Sequence, residues 1–116
     1  MIPQITKKRT ITFCLPDGSE FSWTAKADIR TARYYEEEDL LLVILEKGEQ
    51  QWLIGLTPQA EQIFKVKPPE NWSFYYLSKH INTNTAVVCI SELERFDWFF
   101  GIDPKDGSLE SLNRAY

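Results

Sequence analysis

Ser91-Glu-Leu-Glu-Arg95-Phe96-Asp97-Trp98-Phe99-Phe100-Gly101 is the stretch on which the fold class turns. A hydroxyl start, an oily middle and a glycine stop read as a helix. Ser91 can cap the first turn while Glu94 reaches back to the Ser91 amide, so two donors left over at a helix start are satisfied reciprocally. At about 100° per residue, Leu93, Phe96, Phe99 and Phe100 gather on one side and Trp98 falls nearly opposite their centre. The spacing therefore predicts a helix over 91–101 whose tryptophan points away from the core that its neighbours enter.

Before this segment the chain reads mainly as hairpins. Ile11, Phe13 and Leu15 alternate with polar neighbours, Pro16-Asp17-Gly18 turns the chain, and Phe21, Trp23 and Ala25 alternate again. Ile29, Thr31, Arg33 and Tyr35 suit a strand, although Arg33 and Glu37 would also pair along a helix. Glu36-Glu37-Glu38-Asp39 is then a solvated turn. Leu40 to Leu45 is apolar on both faces, as expected for the middle of a sheet. After a turn at Lys47-Gly48-Glu49, Trp52, Ile54 and Leu56 share a face. Thr57-Pro58 predicts a second, short helix carrying Ala60, Ile63 and Phe64, and Pro68-Pro69 forbids its continuation.

Trp72, Phe74 and Tyr76 alternate on a face expected to be core, followed by a polar loop at His80–Thr85 and a strand at Ala86–Ile90. Asp103 to Gly107 makes a turn, and Leu109 with Leu112 suggests a terminal helix. With no Pro/Gly/Ser linker, low-complexity tract or internal repeat apparent, residues 1–116 are expected to form a single globular α+β domain. The architecture predicted is a mostly antiparallel meander of about six to seven strands with two to three short helices, the main one C-terminal. The alternative is a small β-barrel capped by the last helix.

The 116 residues are 43% hydrophobic and 26% charged, ordinary for a globular protein, but the 14% aromatic content promises a core built of rings as much as of aliphatics. Cys14 and Cys89 lack CxxC spacing and sit in strand-like runs, which suggests small, buried, inert thiols. The net charge of −4 is uneven: residues 1–35 carry +3, residues 36–65 carry −5 and residues 66–116 carry −2. An isoelectric point near 5.0 argues against nucleic acid as a partner. Lys7, Lys8, Arg9, Arg30 and Arg33 are the residues able to form a basic strip. Trp72, Phe74, Tyr75 and Tyr76 lack the glycine/aromatic pattern of base-stacking sheets. The N-terminal order of residues does not suit a secretory signal, and the longest apolar run of six is far short of the roughly 20 a membrane helix needs. A cytoplasmic location without membrane contact is expected.

Catalytic signatures are missing: there is no nucleophile elbow, phosphate loop, dinucleotide fingerprint or zinc-protease motif. The single histidine, His80, sits in a polar loop. Asp97, Asp103, Asp106 and Glu110 invite a calcium loop, but aligning Gly107 with the invariant glycine puts Ile102 and Pro104 at ligand positions. Neither metal nor cofactor is expected. These features predict a non-enzymatic protein-binding or regulatory module, an adaptor, inhibitor or complex subunit. It would dock through Trp98 with Glu94, Arg95 and Asp97 as a polar rim. Glu36, Glu37, Glu38 and Asp39 would form an acidic knob for a basic protein surface. A homodimer through the same helix surface is the equivalent alternative. A second possibility is a small-molecule pocket, possible site of catalysis, in a barrel-like sheet with Tyr34, Tyr35, Tyr76 or His80 converging in it.

Overall fold

The computed structural model describes residues 3–115. It corrects the expected α+β class: the described residues form eleven strands and one short 3-10 turn, with no α-helix. The first sheet contains β1 (Gln4–Thr6), β2 (Thr10–Cys14) and β3 (Glu20–Thr24). In the second are β4 (Asp28–Tyr35), β5 (Leu40–Lys47), β6 (Gln50–Leu56) and β7 (Gln62–Val66). The third holds β8 (Trp72–His80), β9 (Thr83–Ser91), β10 (Asp97–Ile102) and β11 (Leu109–Arg114). Every pairing joins chain neighbours in antiparallel register, and each sheet keeps two edges, so none closes into the alternative barrel.

The predicted helix over 91–101 is a hairpin. Ser91 does cap: its Oγ accepts from the Glu94 amide at 3.1 Å, and its carbonyl accepts from the Arg95 amide at 3.0 Å. One turn forms, and Arg95 at φ +62° ends it. The Ser91 amide then bonds the Phe96 carbonyl, across the hairpin, instead of the Glu94 side chain. A cap supplies the costly first turn, but propagation needs residues that favour it, and Phe96 to Ile102 is an aromatic run better suited to a pleated surface. Leu93, first of the predicted stripe, is 75% exposed.

The other two predicted helices fail similarly. Thr57 Oγ1 accepts from the Gln59 and Glu61 amides, both at 3.2 Å, yet Ala60 at φ +66° ends that turn before β7. Leu109 and Leu112 lie in β11.

The second sheet is sandwiched between the other two. Leu40, Leu42 and Ile44 of β5 pack with Phe74, Val87 and Phe100 of the third sheet, while Leu41, Val43 and Leu45 pack with Ile11, Phe13 and Phe21 of the first. That is why this strand lacks a polar face: both sides of its sheet are covered. Tyr35 and Gln51 tie the sandwich along the edge of β8. The Tyr35 hydroxyl donates to the Ser78 carbonyl at 2.7 Å, and the Gln51 side-chain amide both accepts from the Phe74 amide at 2.7 Å and donates to its carbonyl at 3.2 Å.

An internal repeat organises the stack, contrary to the expectation of none. Trp52-Leu53-Ile54-Gly55-Leu56-Thr57-Pro58 and Trp98-Phe99-Phe100-Gly101-Ile102-Asp103-Pro104 share a Trp-x-x-Gly-x-x-Pro spacing on the equivalent strands β6 and β10. Each strand leads into the same kind of turn, and so does β2. The amides of Leu15, Thr57 and Asp103 close these turns on the carbonyls of Ser19, Glu61 and Ser108, at 2.8, 2.9 and 2.9 Å. A left-handed residue completes each: Gly18 at φ +88°, Ala60 at +66° and Gly107 at +75°. Thus β2, β6 and β10 are corresponding strands of three successive meanders, stacked face to face in chain order.

Candidate functional site: the rear face of the third sheet

Let the front of each sheet face the sheet before it in the chain and the rear face the sheet after it. On the corresponding strands, rear positions are Ile11 and Phe13 in β2, Leu53 and Gly55 in β6, and Phe99 and Gly101 in β10. Ile11 and Leu53 are fully buried by the following sheet. Front positions are Thr10, Thr12 and Cys14 in β2, then Trp52, Ile54 and Leu56 in β6, and Trp98, Phe100 and Ile102 in β10. The first sheet has therefore exchanged the apolar front residues of its successors for small, mostly polar ones, as a terminal repeat does when it meets water. Thr12 and Cys14 are exposed. At the other end the exchange reaches only the outer strands: Asn113 and Glu110 of β11 stand where β7 has Val66 and Phe64, while Phe99 of β10 stays apolar where β6 has Leu53.

Three cross-strand rows build the rear of the third sheet. They are Ser73-Ile90-Asp97, Tyr76-Val88-Phe99-Asn113 and Ser78-Ala86-Gly101-Glu110. Apolar groups occupy the centre and polar ones the ends, the anatomy of a recognition patch with a polar rim. A bulge in β8 between Phe74 and Tyr76 makes this possible by re-aiming Tyr76. Strict alternation had placed Tyr76 with Trp72 and Phe74 in the core, but Tyr75 and Tyr76 are both 40% exposed. Their rings meet edge to face at 5.0 Å, and the Arg30 guanidinium lies 5.9 Å from the Tyr75 ring centre.

His80 curls over one end of this face. Its ring stands 5.1 Å from that of Phe99, and its Nδ1 accepts from the Asn82 amide at 3.1 Å. Nε2 is therefore the donor to Asn113 Oδ1, at 2.5 Å. At the other end a shallow depression is lined by Arg30, Ser73, Ile90, Glu92 and Arg95.

The sequence-predicted site residues are distributed across both faces and the loops. Trp98 is half-buried on the front, against the core, where Nε1 donates to Ser111 Oγ at 2.8 Å and the ring meets Phe96 at 5.8 Å. It is thus supplied with partners inside the molecule. Asp97 belongs to the rear face, Arg95 borders it, and Glu94 is exposed in the adjoining turn. Glu36, Glu37 and Glu38 form the 3-10 turn, which Asp39 ends at φ +50°. Glu37 pairs with Lys79 of β8 at 3.0 Å, which puts this turn beside the third sheet. Its own amide and then Lys79 hold the Glu37 carboxyl below the usual range.

Tyr34, Tyr35, Tyr76 and His80 do not converge on a pocket. Tyr34 packs on Phe13, and its bond to Asp39, at 2.5 Å, pushes the phenol up to about 12. Tyr35 is enclosed, and burial raises its phenol further. Burial also pushes the Cys89 thiol up to about 12, whereas Cys14 is exposed, contrary to expectation. Among the basic residues, Arg9 pairs with Asp28 at 3.0 Å and Arg30 with Glu46 at 3.1 Å, while Arg33 lies over the Tyr35 ring. No group of His, Cys, Asp and Glu among the described residues is placed to hold a metal ion, and no described helix is long and apolar enough to cross a membrane.

Asp103 and Asp106 shape the last turn, accepting from the Lys105 and Ser108 amides at 2.9 Å each. The Ile90, Phe99 and Tyr76 face escaped sequence analysis because Phe99 was assigned to a helix stripe and Tyr76 to the core. The repeated Trp-x-x-Gly-x-x-Pro was the signal that could have found it. No protein-family model, curated protein or solved structure matches this chain.

Proposed function

We propose that this protein is a non-enzymatic protein-binding module, acting in the cytoplasm as an adaptor, inhibitor or complex subunit, and that it docks through the rear face of its third sheet. One observation carries this: the stack of sheets is finished with small, mostly polar residues at its front end, whereas its rear end keeps Tyr76, Ile90 and Phe99 partly in water inside a polar border. A solvent-facing terminal sheet that keeps such a group favours association, because the area of Tyr76, Ile90 and Phe99 still in water is stabilising when covered. Arg95, Asp97, Asn113 and Glu110 supply the polar edge that gives such a contact its register. The exposed, unpaired thiol of Cys14 suits a reducing compartment.

The test is photo-cross-linking in cells. A benzophenone amino acid replaces either Tyr76, on the rear face, or Thr12, on the front of the first sheet. Protein adducts are expected from position 76 and only background from position 12. Equal labelling of both, or no adduct at 76, would refute the docking face.

A further inference from the structure

We infer that the corner between the first and second sheets, on the side where β3 and β7 are the edge strands, binds a small aromatic anion. This site is separate from the docking face and does not depend on it. A cleft of about 350 Å³ opens there, at the small end of the range for organic ligands. Leu45 and Ile54 of the second sheet line its apolar base, Trp23 of β3 stands half-buried beside them, and Gln62, Lys65 and Lys26 bring polar atoms.

Two residues of β7 leave this corner open. On the front of the second sheet Lys65 is opposite Ile54 and Gln62 opposite Leu56, whereas at the corresponding places of the third sheet Ser111 is opposite Phe100 and Leu109 opposite Ile102. Leu109, with Val66, packs against the core and fills its corner. Gln62 and Lys65 are exposed and leave theirs unfilled. Ser111 accepts from the Trp98 indole, but Lys65, in its place, sets its ammonium 5.0 Å from the centre of the Trp52 ring. An aromatic face thus holds a cation beside the cleft.

Charge decides the occupant. Lys26 and Lys65 line the cleft, no Asp or Glu does, and neither lysine is in an ion pair among the described residues. In a chain of net charge −4 this is a local reversal of sign, which attracts an anion and repels a cation. Trp23, Leu45 and Ile54 add an apolar surface suited to a flat ring, since covering area still in water is favourable. A ring bearing a doubly charged phosphate meets both conditions.

Titration of the isotope-labelled full chain with naphthyl phosphate, followed by NMR, is the test. The Trp23 indole and the Gln62 side-chain amide should shift, with a Kd below about 1 mM. Naphthol, which lacks the charge, and inorganic phosphate, which lacks the ring, should each bind at least about tenfold more weakly. Lys26→Gln and Lys65→Gln should each weaken naphthyl phosphate about threefold to tenfold, while Lys105→Gln, in the turn after β10, should leave it unchanged. All three lysines are exposed, so the variants should keep the wild-type backbone amide spectrum. Absence of these shifts up to about 5 mM naphthyl phosphate overturns the site. So does naphthol or inorganic phosphate binding as tightly as the ester, or an affinity that neither Lys26→Gln nor Lys65→Gln lowers.

Discussion

Tyr35 and Cys89 show how single buried groups make stability depend on pH. Both keep a proton more tightly in the folded chain than in the unfolded one, because burial disfavours the charged form. Their contribution is therefore complete below the unfolded values, 9.0 for the thiol and 10.0 for the phenol, and is lost as pH rises above them. Tyr34 adds to the same loss as pH climbs from 10.0 towards about 12. Urea midpoints should hold steady up to pH 9 and then fall. Cys89→Val, which keeps the volume and removes the thiol, should delay the onset of that fall until tyrosines ionise. Tyr35→Phe should cost about 1 kcal/mol at neutral pH, through the lost bonds to Ser78 and Ala86, and flatten the alkaline decline. A midpoint indifferent to pH between 9 and 11 would contradict this assignment.

At the scale of the element, capping and propagation are separate decisions. Ser91 and Thr57 both accept the amides that helix caps accept, yet each starts only one turn, because Arg95 and Ala60 leave the right-handed region and aromatic or β-branched runs follow. Strand edges are managed by side chains. Gln51 acts on β8 as a short neighbouring strand would, matching the Phe74 amide and carbonyl with its own. Gln51→Leu would leave the Phe74 amide buried without an acceptor, an expected loss of about 1–3 kcal/mol. Equilibrium denaturation reads it directly, and a variant as stable as the wild type would show that the edge needs no such partner. Phe64 fixes the last turn comparably, its ring lying where a Cβ on Gly55 or Gly107 would have to stand.

For the whole molecule, the central sheet is shared by two apolar layers, and adjacent residues of β5 serve different ones. Val43 belongs to the layer with the first sheet and Ile44 to the layer with the third. Val43→Ala and Ile44→Ala should each destabilise by about 2–4 kcal/mol. In a linear stack, contacts run only between neighbours, so the two losses should be felt at opposite ends. Hydrogen exchange should quicken first in β1–β3 for Val43→Ala and first in β8–β11 for Ile44→Ala. Identical patterns would mean that the sheets unfold as one unit. The same linearity leaves two terminal faces, and the difference between Thr12 and Phe99 at those ends is the basis for the docking face.

Local chemistry written in the sequence determined the hairpin at β2–β3, the acidic turn after Tyr35, the central place of Leu40–Leu45 and the turn chemistry of Ser91, Thr57 and Asp103. Each depends on residues within a few positions of one another, where alternation, capping and turn preferences act directly. Only the tertiary structure decided between helix and strand for residues 91–101, since Phe96 to Ile102 is apolar at both periods. It alone re-aimed Tyr76 through a bulge, gave Trp98 a partner in Ser111 and revealed which sheet faces are covered. Those outcomes depend on what lies across the neighbouring layer, and a chain of meanders leaves that layer unstated in any one of its segments.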